Sequence, residues 1–371
     1  MKLIIEKNVL LESLSNVIRA VSPRNIIPIL NGVMFDLTED GLYLLASDSD
    51  LVIRKFIPKE EIVKIEEFGK IIIQSKYLLE IVRKMPNSLI NIEVIDGLKI
   101  IISSENTVYN LNCLNSEDYP TINFENVDNP IVLNSNLLKE MFSQTLFAVS
   151  TQESRPILTG INLKIENNYL ECVTTDSYRL AKKRIALDNS YGNYNVVVPG
   201  KNIQELDKIL NVEGDVEIHL FTNKVLFVYN DYLFQSSLLS GAYPNTSNLI
   251  PDDFEYIVTT NLDGFYNAID RAALLSQNKE KNLINMKLVD NEIIITSYAS
   301  EVGQSEENVL AQVNIQDNLS ISYSAKFMLD ALKTLDDDDL IILMNGDSKP
   351  IILKNAKDES LIQLILPIKT Y

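Results

Sequence analysis

At 371 residues the chain is too long for one ordinary core and fits two or three domains of about 100 to 200 residues each. Hydrophobic residues at 46% and charged residues at 23% exclude a disordered chain and leave ample apolar surface to bury. The formal net charge of −18 makes the average surface repel nucleic acid and anionic membrane, so a nucleic-acid role requires cations gathered on one face.

In chain order, KLIIEK reads as a strand, and Glu6 and Lys7 interrupt the apolar run a signal peptide needs. No apolar run elsewhere approaches the roughly 18 residues of a membrane span, so the expectation is a cytoplasmic protein without membrane contact. VLLESLSNVIRAV then shows apolar residues at spacings of three and four, an amphipathic helix. VMFDLTEDGLYLLASD reads as alternating strands broken by an acidic turn. A third strand, KIIIQ, feeds a second helix bearing Lys76 and Arg83, and INIEVI, KIIISS and TVYNLNCL follow as strands.

The same order then returns twice. PIVLNS, NLLKEMFSQTLFAV, INLKIENNYLECVTTD, NVVVPG and KNIQELDKIL form the second round; EYIVTT, NLDGFYNAIDRAAL and LSISYS belong to the third. Ala20-Val21-Ser22 recurs as Ala148-Val149-Ser150, Pro28-Ile29-Leu30 as Pro156-Ile157-Leu158, and Ser47-Asp48 as Thr175-Asp176, all at an offset of 128. Later the offset falls to 124, where Tyr119-Pro120 becomes Tyr243-Pro244. Such self-similarity decides the architecture: three copies, at 1–126, 127–252 and 253–371. Each reads β-α-β-β-β-α followed by more strands, with two helices on one face of mostly antiparallel sheet, an α+β fold.

No enzymatic constellation emerges. His219 in VEIHLF lies in a strand pattern, Cys113 and Cys172 are too few for a disulfide framework or a zinc set, and no Walker loop or G-x-G-x-x-G occurs. Residues 276–279 spell S-x-x-K without its companion motifs. Asp48-Ser49-Asp50 and the acidic run 336–339 read as solvated turns, and no cofactor is expected. The weight moves to binding, with an enzyme using an unrecognised site among the acidic turns as a rival.

One helix of each copy carries the same pattern: Lys76, Glu80, Arg83; then Lys201, Glu205, Lys208; then Lys326, Asp330, Lys333. Opposite them stand Leu78, Ile81, Met85; Ile203, Leu206, Leu210; and Met328, Ala331, Leu335. Cation, acid, cation at these spacings fits an ordinary salt-bridged solvent face. The other reading is an assembly that gathers the helices into an electropositive lining for a polyanion held by nonspecific phosphate contacts.

The repeat, the PILTG turn followed by TTDSYRLA (174–181), SGAYP (240–244) and the terminal LPIKTY together resemble the bacterial sliding clamps, the beta subunits of DNA polymerase III. The resemblance covers the whole chain. It implies three clamp domains, a head-to-tail homodimer forming a closed ring around double-stranded DNA, and no catalysis. Its implied partners are the replicative polymerase, the clamp loader and repair factors, each docking through a short peptide motif. By position it implies DNA-facing Arg24, Gln152 and Lys201, extended through the repeat to Lys76, Arg83, Lys208, Lys326 and Lys333. The implied partner pocket comprises Leu158, Thr175, Ser177, Tyr178, Arg179, Leu180, Pro244, Asn248, Leu249, Leu364, Leu366, Pro367 and Ile368, with Arg179 orienting a polar flank. Asn248 and the Ser177-Tyr178 pair depart from residues seen in some relatives and bear on peptide preference. The implied dimer seam joins Tyr109 and Leu111 to Leu274 and Leu275. The rival to this reading is a repeat-built protein-interaction scaffold that never encircles DNA.

Overall fold

The computed structural model describes residues 1–22, 27–86, 88–96, 98–276, 282–314 and 318–369. Arg24 and most of the S-x-x-K spelling lie outside them. The first round runs β1 (Lys2–Glu6), α1 (Lys7–Val17), β2 (Gly32–Leu37), β3 (Gly41–Ser47), β4 (Leu51–Pro58), β5 (Ile62–Glu67) and β6 (Gly69–Gln74). It closes with α2 (Ser75–Lys84), β7 (Leu89–Ile95), β8 (Lys99–Ser104) and β9 (Thr107–Leu114). The second runs β10 (Ile131–Asn134), α3 (Ser135–Ser143), β11 (Gly160–Glu166), β12 (Tyr169–Thr175), β13 (Arg179–Ala186) and β14 (Tyr194–Pro199). After these come α4 (Gly200–Ile209), β15 (Asp215–Leu220), β16 (Lys224–Tyr229) and β17 (Tyr232–Ser237). The third consists of β18 (Tyr256–Asn261), α5 (Leu262–Ala273), β19 (Leu283–Val289), β20 (Glu292–Ala299), β21 (Gly303–Val313) and β22 (Leu319–Ser324). Its last elements are α6 (Ala325–Leu332), β23 (Asp339–Met344), β24 (Ile351–Asn355) and β25 (Leu361–Ile365).

The helical spacing predicted the buried faces correctly. Leu78, Ile81 and Met85, Ile203, Leu206 and Leu210, and Met328, Ala331 and Leu335 are all buried. Two predicted helices are shorter than their periodicity suggested: α1 passes into a 3-10 turn, Ile18–Ala20, after Val17, and α3 is cut shorter. The α3 segment stops at Ser143, because Thr145 leaves helical geometry and its hydroxyl donates back to the Met141 carbonyl at 2.7 Å.

Each round also holds a strand before its second helix that alternation did not predict: β4, β13 and β21. These strands carry the topology. Hairpin strands β2-β3-β4 and β7-β8-β9 build one round, and β17 pairs antiparallel with β4, setting Phe234 opposite Ile53. In the same way β25 pairs antiparallel with β13, setting Leu364 opposite Leu180.

The described residues divide into two compact units, Met1–Leu138 with Lys201–Leu238, and Lys139–Gly200 with Leu239–Tyr371. The first contains a 13-stranded sheet in the order β10-β15-β16-β17-β4-β3-β2-β6-β9-β8-β7-β1-β5. The second contains a 12-stranded sheet in the order β14-β11-β12-β13-β25-β24-β23-β18-β21-β20-β19-β22. The middle round thus gives strands to both sheets. Gly160 opens β11 where a Cβ would stand 2.6 Å from the Val197 side chain and 2.7 Å from the Val198 carbonyl oxygen, so only glycine lets β11 and β14 approach this closely.

Candidate partner site and cation-bearing helices

The candidate partner site grows out of the turn between β12 and β13. Asp176 Oδ1 accepts from the amides of Tyr178 and Arg179 at 2.9 and 3.0 Å, while Thr175 Oγ1 donates to the Arg179 carbonyl and accepts from the Ser177 amide. These bonds hold Ser177 at φ 79° and throw Tyr178 outward, where it is 60% exposed and stacks on Phe327. The first-round turn matches it: Asp48 Oδ1 accepts from the Asp50 and Leu51 amides, and Ser49 lies at φ 80°.

From this turn β13 points Leu180 inward. It joins Val173, Leu343, Ile352 and Leu364 in a buried cluster, with Tyr243, Ile250 and Phe254 packed on it. The chain continues past β25 along the turn, its Leu366 amide donating to the Tyr178 carbonyl and its Ile368 amide to the Ser322 carbonyl. Leu249 and Leu366 stand out at 48% and 37% exposure, Pro244, Asn248 and Ser177 are exposed, and Pro367 and Ile368 are half-buried. Leu158 and Thr175 are buried. Buried leucines ringed by accessible aliphatic and aromatic residues form a surface suited to apolar anchors. Sequence reasoning missed Val173, Tyr243, Leu343 and Ile352; the alternation in DLIILM and IILKN marks strand faces but not their meeting.

Arg179 is also engaged within the chain. It is 8% exposed, donates to Asp176 at 3.0 Å and to Asp330 at 2.8 Å, and lies 4.5 Å from the centroid of Phe327. Through these bonds the guanidinium ties the turn to α6. Nearby, Lys183 is buried within β13 and bridges Glu140 at 2.9 Å and Asp358 at 2.7 Å.

That use of Asp330 changes the reading of the cation-bearing helices. Glu80 pairs with Arg83, and Glu205 with both Lys208 at 2.7 Å and Arg19 at 3.0 Å. Asp330 turns away to Arg179, so among the described residues Lys326 and Lys333 are exposed with no carboxylate in ion-pair reach. Lys76 is exposed as well, over the Tyr77 ring, and Lys201 meets Asp50 only at 3.5 Å with both side chains largely in water. Such contacts screen little of the charge. Gln152 is exposed too.

The remaining candidates make contacts within the chain. His219 Nδ1 accepts from the Val127 amide at 3.0 Å, which leaves the proton on Nε2, facing Glu217. Cys113 and Cys172 are buried and free, and burial pushes the Cys113 thiol up to about 11. Asp337 accepts from Lys357.

Comparison with known proteins gives the context. Three family models match in order: DNA polymerase III beta subunit, N-terminal domain, over residues 1–123; central domain, over 132–245; and C-terminal domain, over 247–369. The chain belongs to the DNA polymerase III beta subunit family. It is 41% identical to the beta sliding clamp of Bacillus subtilis and 38% identical to that of Staphylococcus epidermidis, in each case over the whole of both chains. Among solved structures, the Bacillus subtilis DNA polymerase sliding clamp superposes with a TM-score of 0.96 at 41% identity, and the Streptococcus pneumoniae DNA polymerase III beta chain with 0.95 at 32%, both covering each chain fully. As a beta subunit the protein has three clamp domains of α+β type. Its apolar cluster draws Val173 and Leu180 from the central-domain match and Leu343, Ile352 and Leu364 from the C-terminal one.

Proposed function

We propose that two copies of this chain join head to tail into a closed ring around duplex DNA and tether the replicative polymerase for processive synthesis. The observation that carries this reading is an unfinished succession of strands. The last strand of each round seeks the pre-helix strand of the round before: β17 joins β4 and β25 joins β13. Among the described strands β9 keeps an unpaired edge over residues 107–112, and β21 keeps one over 303–310. A second copy supplies both partners, β9 of one chain meeting β21 of the other, twice, and a head-to-tail contact that closes makes a ring. Exposed apolar residues support such a seam: Val108 and Tyr109 on β9, with Leu111 half-buried beside them, and Leu310 on β21 with Leu274 nearby, exposed by 57%, 36%, 78% and 64% for the four exposed residues in that order. Leu275 lies half-buried next to Leu274.

In such a ring the domains meet near 126 and 252. Lys76, Arg83, Gln152, Lys201, Lys208, Lys326 and Lys333, with Arg24, face DNA through nonspecific, salt-sensitive phosphate contacts that permit sliding. The Leu180, Leu364 and Leu366 surface receives short peptide motifs from the polymerase, the clamp loader and repair factors. The protein acts in the cytoplasm without a catalytic site of its own, and a separate ATP-driven loader opens the ring.

Sedimentation and retention on DNA test this together. The protein should sediment at about twice 42.0 kDa, and a Leu274→Asp variant, which puts a charge into the seam, should fall to monomer. A loaded ring should persist on circular DNA and run off linear DNA. Equal loss from both would sink enclosure and leave a scaffold.

A further inference from the structure

The first round carries a hollow where the second carries the partner cluster. Leu30, Leu45, Val52 and Tyr119 occupy the repeat positions of Leu158, Val173, Leu180 and Tyr243. They bury with Met34 and Ile72, with Ile122 and Phe124 packed on them. Beside this floor lies a cavity of about 530 Å³ whose wall includes Tyr43, Arg54, Tyr119 and Phe124.

The charges of the two sites differ in one telling way. In the second round Lys182 pairs with Glu171 at 2.7 Å. The matching positions in the first are Arg54 and Tyr43, so the cation is kept and its acid is replaced by a ring. The Arg54 guanidinium lies 5.3 Å from the Tyr43 centroid and 4.7 Å from that of Phe124. Among the described residues no carboxylate is within ion-pair reach of it. The other charges of the wall are engaged: Lys70 pairs with Asp36 at 3.1 Å, and Glu117 accepts from Asn115 at 3.3 Å. Burial lowers the Arg54 pKa, the mark of a guanidinium held partly out of water.

We infer that this hollow is a second docking site, for a peptide that sets a carboxylate on Arg54 and an adjacent aliphatic or aromatic side chain on the floor of Met34, Leu45 and Tyr119. The carboxylate restores the counter-charge that the repeat lost, and the flanking rings fix the guanidinium plane that receives it. A cavity of this size falls within the range of about 300 to 1,000 Å³ in which ligand pockets occur.

The test uses the full chain carrying Leu180→Ala and Leu366→Ala, so that the site of the second round is disabled and failure of that site is separated from failure of this one. A labelled, C-terminally amidated peptide containing Leu-Phe-Asp is titrated by fluorescence anisotropy beside its Leu-Phe-Asn counterpart. Saturable binding of the Asp peptide is expected, weakened about tenfold or more by the Asn exchange and by Arg54→Gln. The Asn exchange leaves the protein untouched, so the reading stays falsifiable even where Arg54→Gln fails to fold. Absence of binding, or equal affinity for the two peptides, overturns the inference.

Discussion

Replacing Arg179 by methionine separates a structural role from a peptide-binding one. The guanidinium is 8% exposed and its two carboxylate partners, Asp176 and Asp330, are 14% and 29% exposed. Removing one member of a buried ion pair costs about 3–5 kcal/mol, because the partner is left charged and dry. Both acids retain some access to water, which places the expected loss near the lower bound, at about 3 kcal/mol. Losing the guanidinium over Phe327 adds about 0.5–1 kcal/mol, and methionine fills part of the space. The acids should therefore limit the damage: Arg179→Met combined with Asp330→Asn should recover about 1–2 kcal/mol relative to additivity. Urea unfolding followed by circular dichroism reads this in a chain that has no tryptophan. Anisotropy of a peptide carrying Gln-Leu-x-Leu-Phe reads the other role. A stability change below about 0.5 kcal/mol together with a tenfold loss of peptide affinity would refute the reasoning and place Arg179 at the peptide.

Three further outcomes follow from the geometry. Burial acts to raise the pKa of Asp358, but hydrogen bonds from Lys183 and Ser360 outweigh it and hold the carboxyl below its ordinary value of 3.8. A depressed acid stabilises the fold above its unfolded pKa and loses that contribution as pH falls through the folded value, so the urea midpoint should drop below about pH 4, and Lys183→Met should flatten the drop. Gly160→Ala should cost about 1–3 kcal/mol in the same assay, since its Cβ meets Val197, Val198 and Leu239 within 2.8 Å; an unchanged midpoint would show that β11 and β14 can part. Lys326→Glu with Lys333→Glu should weaken DNA binding and shrink the slope of log K against log salt by about 0.9 for each phosphate no longer neutralised, whereas a slope equal to wild type would remove α6 from the DNA face.

Much of the fold is legible in the sequence. Helical periodicity is a local property, and it placed Leu206, Met328 and their counterparts on buried faces because a helix without tertiary partners must still segregate its apolar stripe. The repeat register likewise pointed to three α+β copies, since near-identical turns such as those around Asp48 and Asp176 need the same short-range hydrogen bonds wherever they recur. What the sequence concealed were β4, β13 and β21, and β5 in the first round. In RLAKKRIA three consecutive cations hide the strand pattern, and Lys183 can sit buried there only because Glu140 and Asp358, distant in sequence, meet it. The same holds for Arg179, whose partner Asp330 lies on another repeat, and for Val173, Leu343 and Ile352, which join Leu180 only when β13 pairs with β25. Alternation fixes which side of a strand is apolar; which strands share an edge is decided by long-range closure of the sheet, and that is where the apolar cluster around Leu180 and the open edges of β9 and β21 come from.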